Sequence, residues 1–107
     1  MQKIAVKFRD YYVGDLTFED NNFVYKANDV GVDMAITEGG VPLFLYGVNN
    51  SFVSPELPNS LQNLIPNENS ELYITLKLGE CANDFEKLYV LAGENLADDG
   101  LFVARKK

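Results

Sequence analysis

Histidine and tryptophan are absent from this sequence of 107 residues, and cysteine occurs once, as Cys81. Without histidine, the chain lacks the side chain that most often serves as general base and as metal ligand. No serine can be activated by a histidine partner, and a single cysteine cannot close an intramolecular disulfide. These absences disfavour an enzyme, and we expect no catalytic residue, no cofactor and no metal site.

Long apolar runs are also missing. Residues 1–8 alternate between apolar and polar or charged side chains, which is unlike the apolar core of a signal peptide. No stretch approaches the roughly 20 apolar residues of a membrane helix. A lone cysteine fits a reducing compartment. We therefore expect a cytoplasmic protein that does not bind membranes.

Basic residues are scarce over most of the chain. The net charge is −7, and residues 27–101 carry only Lys77 and Lys87 against twelve acidic side chains. A body of this charge repels the phosphates of nucleic acids and attracts a basic protein partner. Plain solubility explains the same charge equally well. We expect no direct contact with nucleic acid.

Two kinds of polar residue could in principle carry chemistry. The acid pairs Glu19-Asp20 and Asp98-Asp99 lie in turn-like sequence, where solvated carboxylates are common. Cys81 lies just before a predicted helix, whose N-terminus could lower the pKa of its thiol. With no histidine in the chain, a spacer residue is the better interpretation of Cys81.

The hydrophobic pattern predicts strands at the N-terminus. Alternation over residues 3–8 and 12–18, followed by residues 23–25, is typical of an antiparallel meander. Residues 26–41 are weakly patterned and contain three glycines, which favours a loop. The apolar run 43–46 suggests a short buried strand.

Helix signals dominate the second half. Ser54-Pro55-Glu56 is typical of a helix start, although Pro58 is the alternative first residue, and Pro66 ends the helix. Residues 68–79 alternate like a strand, but a cap at Asn69 or Ser70 favours a helix. A further helix follows Asn83 or Asp84, and a last strand occupies 101–104. The sequence predicts one α+β domain over residues 1–107: a small antiparallel sheet, made of the meander and the C-terminal strand, with two or three short helices.

Three segments, in order, resemble the first subdomain of HipA-family serine/threonine kinases. Residues 13–16 (VGDL) with 23–25 (FVY) resemble the opening meander of that family, and residues 52–66 resemble its "F…NLLP" helix with a proline stop. Residues 84–101 resemble its "DxFxLL…G…GAL" ending. In the middle, residues 42–47 replace the Leu-Ser-Leu-Pro-like stretch frequent in the family, so contacts of that stretch cannot be carried over.

The resemblance covers nearly the whole chain and implies a function. The family's first subdomain usually continues into a kinase core, whereas this sequence stops at Lys107. It therefore resembles the stand-alone HipS-type antitoxin of bacterial HipB/HipS/HipT toxin–antitoxin systems. The resemblance implies a non-catalytic protein that binds and neutralises a separate HipT-type kinase, with a HipB-type helix-turn-helix protein as a further candidate in a larger complex. Two alternatives stay open: a structural subunit that activates the kinase, and an unrelated small binding module.

The partner-binding surface is predicted on residues 46–68. This segment combines aromatic and apolar side chains with amides, a mixture suited to an interface, and a helix that ends at a proline exposes its last turn. Phe52, Leu61, Leu64 and Ile65 could instead belong to the core, and for Leu61 the core is favoured. The candidate partner-binding residues are Tyr46, Asn49, Asn50, Phe52, Asn63, Ile65, Pro66 and Glu68.

Overall fold

A five-stranded antiparallel sheet organises the computed structural model, which describes residues 2–94 and 100–105. The order along the sheet is β4-β3-β2-β1-β5. The strands are β1 (Ile4–Phe8), β2 (Tyr11–Glu19), β3 (Asn22–Ala27), β4 (Phe52–Ser54) and β5 (Leu101–Arg105). The predicted meander is confirmed, and so is the C-terminal strand, which pairs with β1. Together with the helices, the sheet confirms the α+β class.

Local backbone geometry explains the meander. Asp20 and Asn21 both have positive φ, 52° and 63°, in the two-residue turn that joins β2 to β3. Asparagine and aspartate tolerate this conformation better than other residues with a Cβ, and two such residues suit the twist of a hairpin. Between β1 and β2 the register shifts beside Val6.

One cluster of buried side chains forms the core. Ile4, Val6 and Phe8 of β1 contribute one face of the sheet, as the alternation predicted. Tyr25 of β3 is fully buried in the same cluster and passes so close to Gly14 that a Cβ there would overlap its hydroxyl group. Gly14 therefore makes room for the largest buried side chain of the sheet.

Four short α-helices and two 3-10 turns complete the described part of the chain. The turns span Leu43–Tyr46 and Leu78–Glu80. The helices are α1 (Asp29–Thr37), α2 (Asn59–Gln62), α3 (Glu71–Thr75) and α4 (Asp84–Ala92). Two predicted caps are confirmed: the side chain of Ser70 accepts from the Tyr73 amide at 3.1 Å, and that of Asn83 accepts from the Glu86 amide at 2.9 Å.

Helix α1 corrects the prediction of a loop over residues 26–41. The side chain of Asn28 caps it by accepting from the Gly31 amide at 2.8 Å. A Cβ on Gly31 would overlap the carbonyl oxygen of Tyr12 in β2. The glycine that argued against a helix is therefore the residue that lets the helix lie against the sheet.

Two further predictions change between residues 43 and 58. Residues 43–46 form a 3-10 turn instead of a strand, with only Leu43 fully buried. Ser54 ends β4 instead of starting a helix, and α2 begins at Asn59, one residue after the alternative start at Pro58, which caps it. The helix ends at Gln62, before Pro66, where the sequence placed its end. Proline at 58 suits this position because the amide it lacks has no partner inside the helix.

The described helices are all too short or too polar to cross a membrane. The predicted turn at Asp98-Asp99 and the basic pair Lys106-Lys107 lie outside the described residues.

Candidate protein-binding surfaces

The first half of the predicted surface is attached to the core by its aromatic side chains. The ring of Tyr46 packs edge to face on the ring of Phe8, with 5.2 Å between their centroids. The backbone carbonyl oxygen of Tyr46 accepts a hydrogen bond from the Ser60 hydroxyl. Phe52 stacks on Tyr25, also at 5.2 Å. Both candidate aromatics are half-buried. Their truncation would cost packing energy as well as any partner contact.

The amide pair of this half lies in the turn before β4. Asn49 is half-buried and Asn50 is exposed. The turn is fixed on both sides, because the hydroxyl of Tyr25 donates to the carbonyl oxygen of Val48 and the Ala27 amide donates to the side chain of Ser51 at 3.0 Å. Asn50 is thus presented to solvent by an ordered turn.

The second half of the predicted surface lines a polar groove of about 510 Å³. Ile65, Pro66 and Glu68 belong to its wall, while Asn63 lies outside it at the C-terminal end of α2. The full lining is Gln62, Ile65, Pro66, Asn67, Glu68, Asn69, Tyr73, Asp84 and Lys87. The structure therefore brings three of the eight predicted residues together and holds Tyr46 and Phe52 at other contacts.

Charges on the far wall of the groove largely neutralise one another. Lys87 Nζ lies 3.6 Å from Asp84 Oδ1 and 5.6 Å from the ring centroid of Tyr73. Desolvation lowers the pKa of Lys87, but the interactions with Tyr73 and Asp84 outweigh it and leave the pKa raised. The groove offers amides, one paired cation and the Glu68 carboxylate. That chemistry suits polar peptide contacts.

A second surface, which the sequence did not single out, consists of exposed apolar side chains. Phe44 and Leu45 in the turn Leu43–Tyr46 are 68% and 69% exposed. Val30 and Met34 in α1 are 70% and 42% exposed. Single exposed apolar residues are ordinary, but a group of large ones on adjoining elements is typical of protein-binding sites. The apolar composition of residues 43–46 was the only signal, and it suggested burial.

Acidic side chains and the single cysteine are the groups that could hold a metal ion or act as a nucleophile. Among residues 2–94 and 100–105, no three Cys, Asp or Glu side chains come together as a metal site would require. Burial raises the pKa of the Cys81 thiol, and the Glu86 carboxylate raises it further. The thiol is therefore protonated at neutral pH, contrary to an activating effect of the α4 N-terminus.

Comparison of the chain with family models, curated proteins and solved structures finds no match.

Proposed function

We propose that this chain is a non-catalytic antitoxin subunit that binds a separately encoded HipT-type serine/threonine kinase in the cytoplasm and neutralises it. The resemblance of residues 13–25, 52–66 and 84–101 to the first subdomain of HipA-family kinases motivates the choice of partner. A HipB-type helix-turn-helix protein is the second candidate partner within a larger complex.

The observation that carries a binding function is the exposure of Phe44 and Leu45. Each side chain leaves about two-thirds of its surface in water although the chain has a well-formed core. Transfer of such side chains from water into an interface is favourable by about 25 cal/mol per Å² of apolar surface buried. Binding of a partner that covers Phe44 and Leu45 releases this free energy, which the isolated domain cannot gain.

The charge of the chain supports a protein partner with a basic surface. A kinase cleft built to hold phosphate groups carries positive charge, and the acidic body of this chain complements it. A subdomain that packs against a kinase core in the HipA family would retain a complementary surface when it is encoded separately. Binding in trans would then hold the kinase in an inactive arrangement.

Growth of bacteria that express the kinase tests this proposal. A HipT-type kinase from the same genome should arrest growth when induced alone, and co-expression of this chain should restore growth. An inactive kinase variant serves as the control for expression burden. A kinase that is harmless alone and toxic only together with this chain would identify an activating subunit and overturn the proposal.

A further inference from the structure

The exposed apolar side chains of α1 lie on the helix face that points away from the core. Val32 and Ala35 are buried, so the solvent side of the helix is centred on Val30 and Met34, which are one turn apart. The apolar spacing of a helix normally matches its buried face. Here Val30 and Met34 occupy the opposite face, where they do not contribute to the core.

The turn Leu43–Tyr46 adjoins this helix. The amide of Val41, just before the turn, donates to the carbonyl oxygen of Ala35 in α1 at 3.0 Å. Leu43, the first residue of the turn, is buried in the core. Phe44 and Leu45 follow at once and remain exposed on an element that contacts α1. We call Val30, Met34, Phe44 and Leu45 the α1–turn surface.

Only acidic charges accompany this surface along the chain. No lysine or arginine occurs between Lys26 and Lys77. In α1 and directly after it, the exposed acids are Asp29, Asp33 and Glu38. Asp33 lies between Val30 and Met34 on the solvent side of the helix. A partner that covers Val30 and Met34 must therefore face the Asp33 carboxylate beside them, and lysine or arginine side chains complement it.

We propose that the α1–turn surface is a docking site for a protein whose apposed surface has an apolar pocket bordered by lysine or arginine side chains. This inference rests on the proposed function in that the HipT-type kinase is the expected partner. It places the main contact on residues 30–45 and leaves the groove around Ile65 and Glu68 a lesser role. Phe44 is the expected anchor, since aromatic side chains are frequent hot spots.

The apolar part of the surface is tested by measuring the affinity of the purified kinase for variants of this chain. The double variant Phe44→Ala/Leu45→Ala should bind at least about tenfold more weakly. A tenfold loss of affinity corresponds to about 1.4 kcal/mol, which the truncation of a hot-spot side chain exceeds. Ile74→Ala is the matched control: Ile74 is 65% exposed on α3, outside the α1–turn surface and outside residues 46–68. Its affinity should equal that of the wild type. Unchanged melting temperatures show that both variants fold.

The acidic border is tested by association rates. Asp33→Asn/Glu38→Gln should slow association at low salt and flatten its dependence on salt, because the Debye length falls from about 30 Å at 0.01 M to about 10 Å at 0.1 M. Glu19→Gln/Asp20→Asn, at the exposed end of β2 and in the turn after it, is the control that removes the same two charges, and it should keep most of the salt dependence.

The outcomes separate this inference from the proposed function. A wild-type chain that fails to bind the kinase overturns the proposed function and removes the partner on which the inference depends. A wild-type chain that binds, with Phe44→Ala/Leu45→Ala unaffected, overturns the inference alone. If Ile65→Ala and Glu68→Gln then weaken binding instead, the groove is the docking site.

Discussion

The hydroxyl group of Tyr25 lies 2.7 Å from the carbonyl oxygen of Val48, across 23 positions of the sequence. The same hydroxyl lies 3.0 Å from the carbonyl oxygen of Val13. This contact ties strand β3 to the segment that follows the turn Leu43–Tyr46. Gly47, which joins this turn to Val48, has a left-handed backbone conformation with a φ of 69°. A buried tyrosine of the sheet therefore anchors the chain three residues after the exposed Leu45.

Tyr25 should make the stability of the fold sensitive to alkaline pH. Burial raises its pKa well above the usual value of about 10, so the native state keeps the proton that the unfolded chain releases. The stabilisation is complete below about pH 10 and is lost as the pH rises further. Urea unfolding between pH 8 and 11 should show this loss in the wild type and a smaller loss in Tyr25→Phe. Parallel curves for the two proteins would contradict the role of the buried hydroxyl.

Gly31 should not tolerate a side chain, although alanine is the better helix former. A Cβ at this position overlaps the carbonyl oxygen of Tyr12, so α1 must move away from β2. We expect Gly31→Ala to lower the free energy of unfolding by about 1–3 kcal/mol, as overpacking does. Gly100→Ala is the control, because nothing lies within 4 Å of its added Cβ. Equal denaturant midpoints for the two variants would refute the close approach.

Cys81 should react slowly with thiol reagents in the native protein. Burial and the neighbouring Glu86 both raise the pKa of its thiol, and the thiolate is the reactive species. At pH 8 the native chain should react more slowly with a disulfide reagent than the same chain in urea. Glu86→Gln should increase the native rate by removing the largest electrostatic cause of the raised pKa. A native rate equal to that in urea would show that the thiol is neither shielded nor shifted.

The N-terminal meander was predictable from the sequence because its signals are local, whereas β4 was not predicted. Alternation in residues 3–8 and the asparagine-rich turn before β3 suffice to indicate a hairpin and its faces. Helix α4 was predictable for the same reason, since Asn83 and its apolar stripe coincide. Helix α1 was not, because the purpose of Gly31 appears only when Tyr12 of another strand comes close.

The proposed protein-binding surface was harder to predict from the sequence than the fold. Phe44 and Leu45 are as apolar as core residues, and a short apolar run does not reveal which of its members face inward. Leu43 enters the core while the next two residues do not, a distinction set by the 3-10 geometry of the turn. The segment 46–68 contains Ile65, Pro66 and Glu68 in one groove, but Tyr46 and Phe52 pack on Phe8 and Tyr25.

The central proposal, a domain that neutralises a kinase by binding it, is tested most directly by titrating this chain into a purified HipT-type kinase from the same genome and measuring the rate of autophosphorylation. We expect the rate to fall in proportion to the added chain and to reach the background once all kinase is bound. The Phe44→Ala/Leu45→Ala variant should require at least about tenfold more protein for the same effect. An autophosphorylation rate that stays constant or rises as the wild-type chain is added would contradict the proposal.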